Sequence, residues 1–427
     1  MTRVEAQTQV LSLQEAVSLA LQNNPEIKVS NLGVSKSIQE KTIARSLYLP
    51  NVNVGAQMAH YFQLVPFFGI GGNNADGKVS YGRFGGNDQA AAFVMASQPL
   101  FNASIAPSIK LAKLRNQESN ALVEGKRTDI AAAVKQAYYR QLFLKEKKRL
   151  LQDRIRRNQL ALEDAKSLFS KGKALRVDTL RAYTSWKNLE PDLAKLTYQA
   201  ETNDFQLKAL IGLSLSQQLI LSDSIKLVGD RTIPTEAETY ETAKLNRADL
   251  QIQSLQEKIY AQQVKLANAP ARPSVSLIGQ YQVQTQTNEF NYSNAYYPSS
   301  SFVGLQMSVP VFNGFRNEAR SKQATLSQQQ SVTQLKYDEE QLHAVVHQAV
   351  SNCLESKDRM DITKSIRETA KLSYELTEYR YSSGVSSRLE LMDAELAFSF
   401  AQSNYLEAVY DYLSARVLLF QVMGKVE

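Results

Sequence analysis

The sequence predicts a mainly α-helical chain with four β-strands, organised as two copies of a helix–strand–strand–helix–helix unit. Residues 311–383 contain no proline and have apolar residues at helical spacing, so they predict one helix of roughly 70 residues, about 100 Å long. Two pairs of shorter segments instead alternate polar and apolar residues with the period of two that is typical of strands. The same order of elements recurs in the second half of the chain.

Composition and motifs narrow the functional class. The 427 residues contain no apolar run of about 18 residues, which argues against a transmembrane helix and leaves a membrane β-barrel open. The start, MTRVEAQTQV, has no apolar signal region, so the chain is either cytosolic or the mature part of an exported protein. The single cysteine, Cys353, provides no intrachain disulfide and no metal cluster. Because we find no phosphate loop, nucleophile elbow or zinc motif, we expect neither an enzyme nor a cofactor.

The first copy, residues 1–230, sets the order of the elements. It opens with an amphipathic helix that breaks and restarts at Pro25. The period then changes from helical to two, which predicts strands at about 51–63 and 88–101. A loop with seven glycines, residues 64–87, joins these strands.

Long helical segments follow each pair of strands and end at glycines, which suit the left-handed position after a helix. In the first copy these are Gly172 and Gly212, and Pro191 is expected to kink the second helix. Gly384 is the counterpart of Gly172. The four predicted helices lie at about 104–171, 176–211, 314–383 and 387–423. The basic run at 145–157 is interpreted as a solvated helix face, because acidic residues are interspersed.

The second copy, residues 231–427, repeats the first at nearly constant offsets. Ala243–Leu250 aligns with Ala20–Ile27 at an offset of 223 residues, and later prolines and glycines align at 211 or 212. Its strands are predicted at about 274–287 and 299–312. Such a duplication is not a solenoid of short repeats.

The faces of the predicted strands differ in polarity. In the second copy Val275, Leu277 and Tyr281 share one face, and Gln280 and Gln282 share the other. This pattern fits a membrane barrel wall with lipid outside and water inside. A soluble, half-buried sheet fits the alternation equally well, so the pattern alone leaves both open.

Four strands cannot close into a barrel, and open strand edges are not tolerated in lipid. Closure therefore requires several chains. Two chains would give eight strands, whose interior is filled by side chains, whereas three would give about twelve, which leaves a bore. This predicts a trimeric, twelve-stranded β-barrel continued by a long α-helical barrel.

The motifs resemble those of the TolC-type outer membrane efflux proteins, from LSLQEAVSLALQNNPEI to Gly424. The resemblance rests on Pro50–Val52, on QPLFN and VPVFNGF after the strand pairs, and on two tip segments, Leu168–Ala182 and Tyr379–Glu395. It implies a homotrimer in the outer membrane of a Gram-negative bacterium, with a long periplasmic extension and with equatorial segments at about 213–240 and both termini. It also implies docking to a periplasmic adaptor and, through it, to an inner-membrane pump, and hence an exit duct for efflux or type I secretion.

The resemblance also implies roles for residues near the helical turns. The adaptor-docking tips would contain Gly172, Lys173, Gly384, Val385 and Ser386. At the other end, residues 64–87 and 288–298 are expected to be extracellular loops. The alternative is that each tip segment is an ordinary turn between two helices, without a docking role.

Two acidic residues match those that line the pore entrance in this family. Glu390 and Asp393 are three residues apart on one predicted helix face, and three chains would bring six such carboxylates close to one axis. Such a ring favours cation binding. The alternative is an exposed acidic first turn, which is favourable at a helix N-terminus.

Asp178 and Tyr381 match residues that hold the family's entrance closed, and a hydrogen bond between them is expected. The family's arginine two residues after the second tip glycine is replaced here by Ser386, and the nearest arginine is Arg388. The competing hypothesis for the whole chain is a periplasmic coiled-coil adaptor or structural protein without a channel.

Overall fold

A computed structural model describes residues 9–73, 76–77, 79–225 and 232–426. In the first half of the chain the elements are β1 (Gln9–Leu11), α1 (Leu13–Asn23), α2 (Pro25–Ser46), β2 (Asn51–His60), β3 (Pro66–Asn73), β4 (Val79–Arg83), β5 (Asp88–Asn102), α3 (Ile105–Ser170), α4 (Arg176–Lys187), α5 (Glu190–Ile211) and β6 (Leu219–Leu221). In the second half they are α6 (Glu236–Asn246), α7 (Ala248–Asn268), β7 (Ser274–Thr287), β8 (Ser299–Ser308), α8 (Arg316–Ser382) and α9 (Arg388–Val422). None of the helices in these described ranges combines the length and apolarity needed to cross a membrane.

The chain divides into two compact units. The first lies within Met1–Ser35, Glu118–Ser254 and Thr333–Glu427, and the second comprises Lys36–Gln117 and Leu255–Val332. Because the long helices contribute to both units, this division does not follow the sequence repeat at residue 230. The duplication itself stays a prediction.

The first unit contains two hydrophobic clusters of similar construction. In one, α1, α3 and α5 pack around Tyr138 and Leu207. In the other, α6, α8 and α9 pack around Val346 and Tyr412. Each cluster therefore combines the long helix, the return helix and the opening helix of one sequence copy, and burial of their apolar faces holds the three together.

A small parallel sheet in the first unit was not predicted. Strand β1 pairs with β6, which lies in the connector that the sequence left irregular. The buried Tyr138 hydroxyl lies 3.0 Å from the Leu11 carbonyl oxygen and 2.7 Å from Asp223 Oδ2, and Asp223 also accepts from the Leu13 amide. Strands of three residues are too short to give a period that sequence can reveal.

The second unit is built on a four-stranded antiparallel sheet with the order β2–β5–β7–β8. Residues opposite each other lie on the same face, and one row across the sheet is Gly55, Phe93, Gln282 and Ser300. That face contains asparagine, glutamine and serine in most rows, and the other is rich in valine, alanine and leucine. Among the described residues no further strand pairs with the outer edges of β2 and β8.

Two predicted strand ends and one predicted loop differ from the observed structure. Strand β2 ends at His60 rather than near 63, and β8 ends at Ser308, just before Pro310, which has no amide hydrogen for a ladder. The predicted loop 64–87 contains the antiparallel pair β3 and β4, in which Phe68 and Tyr81 are opposite each other and their rings are 5.8 Å apart. The sequence did not predict this hairpin because its many glycines interrupt the alternation of polar and apolar residues that indicates a strand.

Candidate pore entrance

Two glycine turns connect the long helices to their return helices in the first unit. At the first, Gly172 has φ 69°, its amide donates to the Phe169 carbonyl and the Lys173 amide donates to the Leu168 carbonyl, at 3.0 and 2.9 Å. At the second, Gly384 has φ 76°, and Val385 donates to Arg380 in the same way. Both turns are therefore Schellman motifs, in which the residue after the helix is left-handed.

Glu390 is held at the start of α9 by its neighbours. Ser387 is the N-cap, and its hydroxyl accepts from the Glu390 amide at 3.2 Å, while the Ser386 hydroxyl donates to Glu390 Oε2 at 2.6 Å. The pKa of Glu390 is lowered mainly by the hydrogen bond from Ser386 and secondly by the contact with Ser387. Serine followed by glutamate three residues later is the sequence pattern that indicates this cap.

Asp393 follows Glu390 on the exposed side of α9. Its carboxylate has no hydrogen bond or ion pair with the residues that the structure describes. Both carboxylates are thus exposed at the start of α9. This position fits an acidic first turn of the helix, and it also fits a pore ring.

Asp178 and Tyr381 have different partners within the chain. Asp178 Oδ2 accepts from the Leu175 amide at 3.0 Å, which caps the start of α4. The Tyr381 ring lies 5.5 Å from the Arg388 guanidinium. In the part of the chain that the structure describes, no hydrogen bond joins the two side chains, so a direct link between them stays a prediction.

Sequence reasoning missed a link between helices above the turns. Arg157 on α3 donates to Glu395 on α9 at 2.7 Å, and both side chains are partly buried. The solvated-face interpretation of 145–157 is therefore wrong for Arg157. Next to this pair, the Tyr374 ring stacks on the Phe398 ring, with the ring centres 5.8 Å apart. The pKa of Tyr374 is raised to about 12, mainly by burial and secondly by its hydrogen bond to Glu378. Pairs 238 residues apart leave no local pattern in a sequence.

The chain matches the profile described as "Outer membrane efflux protein" over residues 16–213 and 239–425. The chain belongs to the outer membrane efflux protein family. It is 20% identical to the outer membrane protein TolC of Vibrio cholerae, with 97% of this chain and 90% of the relative covered. It is 22% identical to the proteases secretion protein PrtF of Dickeya chrysanthemi, with 97% and 88% covered.

The fold is shared with solved outer membrane channels. The CmeC outer membrane channel of Campylobacter jejuni superposes with a TM-score of 0.79 at 17% identity, over 96% of this chain and 85% of that one. The predicted fold class of an α-barrel with a β-barrel is confirmed, as are an outer membrane location and the role of a channel for efflux or secretion. Because the family consists of transport channels, this outer membrane efflux protein is not an enzyme, and the alternative of an adaptor without a channel is wrong.

Proposed function

We propose that three copies of this chain close into one twelve-stranded barrel and form a passive exit duct. In the four-stranded sheet the outer edges of β2 and β8 have no partner among the residues that the structure describes, and this observation carries the proposal. In lipid each unpaired backbone group costs several kcal/mol, so β2 of one copy must pair with β8 of the next. Two copies would leave no bore.

The polar face of the sheet lines the water-filled bore in this assembly. Gln280 Nε2 donates to Gln282 Oε1 at 2.8 Å and Gln282 Nε2 donates to Gln284 Oε1 at 3.0 Å, so one strand carries a continuous chain of amides. Val303 and Leu305 on the opposite face are 78% and 70% exposed in the protomer, and lipid covers them in the membrane.

The partners of the duct are a periplasmic adaptor and, through it, an inner-membrane pump. Relatives in secretion and efflux support such an assembly. The turns with Gly172, Lys173, Gly384, Val385 and Ser386 present the docking tips. Their apolar side chains support this role, since Leu175 and Val385 are 69% and 68% exposed.

The entrance is lined by Glu390 and Asp393, and Asp178 and Tyr381 contribute to its closure. Support for the ring comes from the exposed position of both carboxylates at the start of α9. The cap uses Oδ2 of Asp178 and the arginine contact uses the ring of Tyr381, so Oδ1 of Asp178 and the Tyr381 hydroxyl carry the closing contact.

A cysteine pair on neighbouring positions of β7 tests the channel. Gln282→Cys lies on the polar face and Val283→Cys on the apolar face, so they form a matched pair. A charged, water-soluble thiol reagent should reduce the single-channel conductance of the first variant in planar bilayers and leave the second unchanged. Equal sensitivity, or a response of Val283→Cys alone, would contradict the assignment of the faces.

A further inference from the structure

An aromatic ring lies over a glycine on the polar face of the sheet. Phe93 on β5 is directly opposite Gly55 on the edge strand β2. A Cβ atom built on Gly55 would lie 2.9 and 3.0 Å from two carbons of the Phe93 ring, and closer still to its Cζ atom. The ring therefore occupies the space that any other residue at position 55 would fill.

A glutamine follows Phe93 in the same row of the sheet. Gln282 on β7 is the next residue in the same row, and its amide group is held in the chain between Gln280 and Gln284. A ring displaced from Gly55 can turn away from the sheet. On the polar face that direction is the bore.

Displacing the ring does not threaten the fold. The atoms that a Cβ at Gly55 would meet are at the far end of a side chain, which rotates at low cost, and the glycine itself has an ordinary strand conformation. A substitution at position 55 is therefore a means of moving the Phe93 ring without moving the strand.

We infer that Gly55 is a seat for the Phe93 ring, and that this seat keeps the ring from narrowing the barrel bore at its row. This inference rests on the proposed function, since it needs the polar face inside the barrel. In a trimer three rings would lie in one row around the bore, each held against the wall. Gly55 thus positions the Phe93 ring, and large solutes in the bore pass this ring.

A cysteine deeper in the bore measures the width of the bore at this row. Ser276 lies on the same face of β7 as Gln282, six residues nearer the helical end, so a reagent entering from the loop end passes the Phe93 row first. Maleimides applied outside intact cells would label Ser276→Cys, and native Cys353 is fully buried and does not compete. A small maleimide is compared with one attached to a bulky neutral polymer.

The rates are measured in five backgrounds: the natural sequence, Gly55→Ala, Phe93→Ala, the double variant, and Gly304→Ala. Gly304 is the matched control, because it is also an edge-strand glycine on the polar face but has nothing within 4 Å of its Cβ position. Gly55→Ala should slow the polymer reagent several-fold and leave the small reagent unchanged. The double variant should regain the rate of Phe93→Ala, and Gly304→Ala should match the natural sequence.

Three results would overturn the inference while leaving the channel intact: an unchanged polymer rate in Gly55→Ala, an equal slowing in Gly304→Ala, or a slowing that persists when Phe93 is removed. Failure of the small reagent to label Ser276→Cys in the natural background would instead show that the polar face is not in the bore. That result would overturn the proposed function and this inference together.

Discussion

At the scale of single residues, Glu390 has a structural partner and a proposed functional role. The Ser386 hydroxyl donates to its carboxylate and lowers its pKa, so Glu390 stays ionised below the pH at which an ordinary glutamate becomes neutral. The contact with Ser386 therefore contributes stability above the unfolded pKa, and this contribution is lost as the pH falls through the folded pKa.

Neutralising both entrance carboxylates, with Glu390→Gln and Asp393→Asn, should lower the cation selectivity of the channel and remove block by multivalent cations from the periplasmic side. In the proposed trimer several carboxylates would lie near one axis, where their field would attract cations. Reversal potentials in a salt gradient and cation block in planar bilayers provide the measurement. Unchanged selectivity and block would leave Glu390 and Asp393 as an acidic helix start only.

A control for this experiment is Ser386→Ala, which keeps both carboxylates and removes the hydroxyl that donates to Glu390. The pKa of Glu390 should then rise, so cation block should be lost at a higher pH than in the natural sequence. If the two pH profiles coincide, the hydrogen bond from Ser386 does not set the charge of the entrance.

Gly384 should tolerate asparagine and reject valine. Its φ of 76° is left-handed and nothing lies within 4 Å of its Cβ position, so conformation alone selects the residue. Asparagine adopts this region readily, whereas a β-branched residue costs at least about 1–2 kcal/mol. Gly384→Val should lower the unfolding temperature and weaken export and cross-linking to the adaptor, and Gly384→Asn should change them little.

Gly424 offers a contrast at the same kind of turn. It has φ 70°, but a Cβ there would lie 2.7 Å from the Asn246 backbone, so the helix end is closely packed. Gly424→Asn should therefore destabilise the protein more than Gly384→Asn, as measured by thermal unfolding. Equal tolerance at both positions would contradict the packing seen at Gly424.

At the scale of elements, the sequence predicted a helix or strand correctly where its periodic pattern extended over many residues. The helix predicted at 314–383 is observed at Arg316–Ser382, since a proline-free periodic stretch of this length has no competing structure. Short or glycine-rich elements were missed: β1 and β6 have three residues each, and the β3–β4 hairpin contains too many glycines for clear alternation.

The candidate site was less predictable than the elements. The tip glycines follow from local conformation, which a sequence encodes directly. The partners of Asp178, by contrast, depend on competition between a helix cap within the same turn and a tyrosine 203 residues away. A single sequence does not reveal which of these contacts is more stable.

The loops at the far end of the sheet should be extracellular. A cysteine at Asn291, between β7 and β8, should react with a membrane-impermeant maleimide on intact cells, because loops opposite the helical end face outward. The matching position in the first copy, Asn74, lies outside the residues that the structure describes. If Asn291→Cys reacts only after lysis, the chain has the opposite orientation in the membrane.

At the scale of the whole molecule, the central claim is that one chain provides a third of a barrel. The alternation of polar and apolar residues predicted the strands and their faces but not the β5–β7 pairing that joins the two hairpins into one sheet. In the described chain that pairing leaves the outer edges of β2 and β8 as the two open edges of the four-stranded sheet, and the cost of bare edges in lipid favours closure by other copies.

The mass of the detergent-purified complex tests this claim most directly. Native mass spectrometry in mild detergent should give three times the chain mass of 47.8 kDa, with no folded monomer when the complex is diluted, because four strands alone leave two edges open. A monodisperse monomer that keeps its native β content by circular dichroism would contradict the account.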